Sequence, residues 1–104
     1  MVDMHESASI GDLEGLEEAL NSGYHPDDPD NDWGIRTALH LSASAGFRAC
    51  VALLIARGAD VNAQMYDNST PLHCACEIGH LGIIFLLLNH GANPLAIDRY
   101  FNSG

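Results

Sequence analysis

A chain of 104 residues, 47% of them hydrophobic, has material for one buried core and no room for a separate catalytic lobe. Fourteen acidic residues face four arginines and no lysine, and the resulting net charge of −10 disfavours direct binding to nucleic acid or to an anionic membrane surface. No uninterrupted apolar run approaches the roughly 20 residues of a membrane-crossing helix, and no basic cluster precedes an apolar block near the start.

The stretch from Met4 to Gly23 reads as two short helices. Ile10, Leu13, Leu16, Ala19 and Leu20 recur at helical spacing, which predicts one buried stripe. Asp12 stands where a side-chain oxygen caps the second helix, and Glu14, Glu17 and Glu18 suit that helix's first turns and outer face. Ten of the acids fall in the first 32 residues, where no Lys or Arg occurs, so this unit reads as a solvated acidic cap. Asn21 to Asp32 follows as a connection. Pro26 and Pro29, set among Asp27, Asp28, Asp30 and Asp32, exclude a helix there. An extended acidic finger is expected.

A second helix pair follows, with Thr37 as its N-cap and Leu39, Leu41 and Ala43 in and around the core. Gly46 ends its first helix. Cys50, Val51, Leu53 and Leu54 give the second helix its apolar face, and Gly58 closes it. The plan then recurs 33 residues on, laying Thr37 on Thr70, Leu39 on Leu72, His40 on His73, Gly46 on Gly79, Leu53 on Leu86 and Gly58-Ala59 on Gly91-Ala92. The first unit fits at an offset of 35, with His5 on His40, Gly11 on Gly46 and Gly23 on Gly58. A fixed period of this kind marks a stacked repeat array. Asn68 sits at a turn that requires a left-handed backbone, where Asn is the best substitute for Gly. The run Ile83 to Leu88 reads as a buried helix segment. Gly82, inside that helix, costs about 1 kcal/mol relative to Ala, and either close packing against a following unit or a chance tolerated substitution accounts for it.

The period, the Thr70-Pro71-Leu72-His73 start and the Gly91-Ala92 end resemble the ankyrin repeat family. The resemblance implies an all-α solenoid of helix-turn-helix units with projecting hairpin loops. It divides the chain into a capping repeat at 1–29, repeats at 30–64 and 65–97, and the start of a further repeat at 98–104. Ala38 stands where the family usually has Pro, and Asn68 where it usually has Gly. The family's Thr and His tie neighbouring turns together, a role that passes to Thr37 with His40 and to Thr70 with His73. Phe85 and Leu88 occupy places where a closing repeat is usually polar. The chain is therefore expected to be part of a longer ankyrin protein, with an uncapped end that leaves it marginally stable or self-associating.

The function implied is a non-catalytic protein-interaction module, or alternatively the regulatory N-terminal region of a larger enzyme or channel. By position, the family's concave face falls on Arg36, Leu41, Ser44 and Ala45, on Ser69, Cys74, Glu77 and Ile78, and on Glu6, Ser9 and Ile10 from the first repeat. Trp33, Tyr66 and Asp67 take the hairpin tips, where Trp and Tyr are favoured anchors; the alternative for Trp33 is local packing over the long acidic loop. The acidic surroundings predict a basic or amphipathic partner segment. Asn62, with Leu54 eight residues before it and Asp60 and Val61 directly ahead, resembles a target of the 2-oxoglutarate- and iron-dependent asparaginyl hydroxylase that modifies many ankyrin proteins. The alternative is that Asn62 shapes its own turn by bonding to nearby backbone. His73, Cys74, Cys76 and His80 lie close in sequence, yet Cys74 and Cys76 on one helix point about 200° apart and cannot share an ion. No metal, no cofactor and no catalytic set is expected. Three cysteines without disulfide spacing favour a reducing setting, cytoplasmic or nuclear.

Overall fold

The computed structural model describes residues 3–30, 36–65 and 67–94. Trp33, Tyr66 and the predicted start of a further repeat at 98–104 lie outside the described residues. Among the described residues there are six helices and no strand: α1 Met4–Ile10, α2 Leu13–Asn21, α3 Ala38–Ala45, α4 Arg48–Ala56, α5 Pro71–Ile78 and α6 Leu81–Asn89.

Each helix starts and stops for a local reason. Thr37 and Thr70 close reciprocal capping boxes, the hydroxyl accepting from the backbone N–H of His40 or His73 while that imidazole accepts from the threonine's own N–H. Asp12 caps α2 through the N–H of Gly15 at 3.0 Å, as its position predicts. His80 does the same for α6 through Ile83 at 3.1 Å. Gly11, Gly46 and Gly79 end the first helix of each pair at φ of 80°, 85° and 71°, a region that a side chain would make costly.

The pairs stack in two layers. α1, α3 and α5 pack in sequence to form one layer, and α2, α4 and α6 form the other. The core between them holds Met4, Leu16, Leu39, Leu54, Leu72, Ile83 and Leu87, all without exposure. Described residues of the two connections between pairs are held by backbone pairing. One is pinned by the Asp30–Arg36 bridge, the other by the Met65 N–H bonded to the Ser69 carbonyl. Asn68 at that second tip has φ of 68°, as its position requires.

Three expectations are corrected. Ile10 and Leu13 are exposed rather than part of the buried stripe, because they flank the Gly11–Asp12 turn; Met4 and Ala8 supply the inward face of α1. The described part of the acidic connection does not project. Pro26 is buried, the Asp28 carbonyl accepts from His5 Nε2 at 2.7 Å, and the Asp27 carboxylate accepts from the Asp60 N–H at 2.8 Å. The run Ile83 to Leu88 is not buried throughout: Ile83 and Leu87 are without exposure, Ile84, Leu86 and Leu88 are half-buried, and Phe85 is exposed.

Candidate functional site

The first helices repeat one surface pattern. At the offsets of 35 and 33 residues, Glu6, Leu41 and Cys74 form one column, and Ser9, Ser44 and Glu77 form the next. Stacking α1, α3 and α5 sets these columns side by side as the floor of a groove. Two hollows of about 340 Å³ each lie along it. One is walled by Asp3, Glu6 and Asp30, the other by Met65, Cys74 and Glu77. Ser9, Arg36 and Leu41 line both, so the two hollows form one continuous depression.

Eight of the expected residues therefore come together: Glu6, Ser9, Arg36, Leu41, Ser44, Ala45, Cys74 and Glu77. Leu41 is only 9% exposed and serves as floor. Arg36 pairs with Asp30 at 3.7 Å and lines both the acidic hollow and the more apolar one. Burial pushes the Cys74 thiol up to about 11, with the Glu77 and Asp67 carboxylates adding to it. At neutral pH Cys74 is therefore a small apolar surface and not a nucleophile. Among the described residues no three His, Cys, Asp or Glu side chains converge as metal ligands.

Ile78 is not part of the groove. It sits at the last position of α5, where the helix axis has carried it round to the turn, and its Cδ1 lies 3.5 Å from where a Cβ on Gly46 would be. Ile10, in the same column, lines neither of these hollows but a further acidic one with Asp12 and Glu14, which shares Asp3 and Glu6 with the first. Asp67 is exposed near the hairpin tip. Its carboxyl is held below the usual range mainly by the Ser69 backbone N–H, which donates to it at 3.0 Å. Four lining residues, Asp3, His5, His40 and Met65, were not expected on this surface. Met65 lies in a hairpin, where no helical period marks it, and His40 had been assigned a purely structural hydrogen bond.

His40 makes that bond: Nε2 donates to the Ser69 carbonyl at 2.9 Å while Nδ1 accepts from Thr37. Asn62 does more than shape its own turn. The Asp60 carboxylate shapes that turn by accepting from the Asn62 N–H at 2.9 Å. The Asn62 side chain crosses to the next loop, donating to the Gly91 carbonyl at 3.0 Å and accepting from the Asn93 N–H at 2.7 Å.

Residues 4–98 match the family model described as ankyrin repeats in three copies. The chain is similar to Palmitoyltransferase ZDHHC13 of Homo sapiens, 37% identical over 97 residues, covering 92% of this chain and 15% of that protein. It is 38% identical over 90 residues to Serine/threonine-protein kinase 12 of Arabidopsis thaliana, covering 86% of this chain and 19% of the kinase. To the RelA-associated inhibitor of Mus musculus it is 37% identical over 87 residues, 84% of this chain and 10% of the other. The chain thus spans less than a fifth of each of these relatives.

Proposed function

The chain belongs to the ankyrin repeat family, whose repeats mediate protein–protein interaction, and on that premise we propose that it holds a basic or amphipathic segment of a partner along the first-helix groove and across the hairpin tips. The observation that carries this reading is the continuous depression, with carboxylates at both ends and Leu41, Met65 and Cys74 between them. Basic side chains suit its ends, and an apolar one suits its middle. Trp33 and Tyr66 enter the proposal as tip anchors on their side-chain type alone.

The test is binding of a blocked peptide bearing lysines on both sides of one leucine, followed by calorimetry. Affinity is expected to fall with added salt and with Glu77→Lys, and Trp33→Ala is expected to speed dissociation. Binding that ignores all three changes would remove the groove from consideration. Asn62 remains a proposed hydroxylation site. Its two bonds to the next loop mean that the enzyme must act on a locally opened chain. One added oxygen on the Asn62 peptide after incubation with the hydroxylase is the expected result.

A second reading rests on the relatives. Two are named as enzymes, and the chain covers 15% and 19% of them. On this reading the repeats are the regulatory region of a larger catalytic protein. The reading frame beyond Gly104 discriminates: a catalytic domain there supports it, and an early stop removes it.

A further inference from the structure

The second helices, with the last residues of the first helices at the turns, carry exposed apolar side chains that stacking does not fully explain. At one end Ile78, Leu81 and Phe85 are 46%, 64% and 59% exposed; at the other, Ile10 and Leu13 are 62% and 42% exposed. The middle repeat shows what a neighbour on either side would cover. Its counterparts to Ile78 and Leu81 are Ala45 and Arg48, both exposed although repeats flank them on both sides; the counterpart to Phe85, Ala52, is half-buried. The columns that stacking does bury are different ones. Val51 and Ala43 are without exposure, while their counterparts Ile84 and Cys76 are only half-buried. A further repeat at either end would therefore leave Ile10, Leu13, Ile78 and Leu81 in water.

Between the two apolar ends, α4 presents Arg48, Ala49, Ala52 and Ala56. Three alanines keep the middle of the face low. Gly82 keeps it low beside Arg48, whose Cδ would lie 3.4 Å from a Cβ at that position. Charge is distributed unevenly. Glu14 and Glu17 stand exposed beside Leu13, whereas α6 carries no acid and is bordered by Arg48 and His80. The two ends of the face thus complement each other, apolar to apolar and acid to base.

We propose that this outer face is the interface of a homodimer in which α2 of one copy lies on α6 of the other. A two-fold pairing of an apolar–small–apolar face satisfies both ends at once, because each copy offers α2 and receives on α6. Ile10 and Leu13 then meet Leu81 and Phe85, and Glu17 meets Arg48. Opposing this is the repulsion between two chains of net charge −10. That repulsion is long-ranged and screened by salt, whereas apolar contact is not. The dimer therefore strengthens as salt is added, the reverse of the salt response expected at the groove.

Sedimentation equilibrium of the whole chain from micromolar to millimolar concentration, at low and high salt, tests this. The expected result is a monomer–dimer equilibrium that tightens with salt. Joint Leu81→Ser and Phe85→Ser is expected to weaken it about tenfold or more, since such anchors dominate interface energies. Arg48→Glu weakens it too, and adding Glu17→Arg restores it. All four side chains are exposed, so circular dichroism should be unchanged, and the groove's peptide binding serves as an independent control. A monomer at every concentration and salt overturns the proposal. So does a dimer that survives the double serine variant, or one lost only on Ile84→Ser, which would place contact on the stacking end.

Discussion

His40 fits its place only as the neutral imidazole with its proton on Nε2, because Nδ1 accepts from the Thr37 N–H at 3.2 Å. Burial lowers its pKa below the ordinary 6.5, and Arg36 adds to the effect; the Ser69 carbonyl and Asp67 oppose it. The unfolded chain therefore takes up the proton first as pH falls. The stability His40 contributes is complete above about pH 6.5 and is lost as pH falls from there through the depressed folded value. The urea midpoint should drop between about pH 7.5 and about pH 5, and drop less in His40→Leu. That variant should itself lose about 2 kcal/mol at neutral pH, because the Thr37 N–H and the Ser69 carbonyl are left unpaired. Asn62 gives a companion measurement on the surface. Asn62→Ala removes both bonds to the next loop and should cost about 1–2 kcal/mol. Asn62→Asp keeps the acceptor for Asn93 and should cost about half as much.

Whole elements obey the same local chemistry. α6 contains Gly82, which is half-buried, and the atoms nearest to a Cβ added there belong to the His80 ring and the Arg48 side chain. A methyl group there requires His80 and Arg48 to shift by tenths of an ångström, while the helix gains up to about 1 kcal/mol in propensity. Gly82→Ala should thus stabilise the chain by about 0.5 kcal/mol in thermal denaturation, unless His80 loses its cap on Ile83. At the hairpin tip the sign reverses. Asn68 holds φ of 68°, so Asn68→Val should cost about 1–2 kcal/mol, and Asn68→Gly should be close to neutral.

Across the molecule, stability is set by which columns the stack closes. Val51 lies between repeats on both sides and is fully buried; Ile84, in the same column of the last described helix, is half-buried. Val51→Ala should cost about 2 kcal/mol and Ile84→Ala about 1, although isoleucine is the larger side chain. Denaturant midpoints check the order, and an equal or reversed order would show that Ile84 is as well covered as Val51. This column also refines the expectation that Phe85 and Leu88 mark an open end. Phe85 is exposed and Leu88 half-buried, but the middle repeat's counterparts, Ala52 and Ile55, are half-buried even between neighbours.

The sequence by itself determined the helix pairs, their caps and the family. Thr37, Thr70, Asp12, Gly46, Gly79 and Asn68 act through bonds or backbone angles within a few residues, and a 33-residue period repeats those local rules. It also placed Arg36, Leu41, Cys74 and Glu77 on one surface, because equivalent positions in a regular stack must align. Only the tertiary structure decided which face each turn-flanking residue joins. Ile10, Leu13 and Ile78 keep the helical spacing of core residues, yet they stand where the chain reverses and the axis ends, so the period no longer predicts burial. It alone decided as well where polar side chains reach between repeats. Asn62 to Gly91 and Asn93, Asp27 to Asp60, and His5 to Asp28 each join residues more than twenty positions apart. Such bonds depend on how loops lie against one another, and no local spacing encodes that.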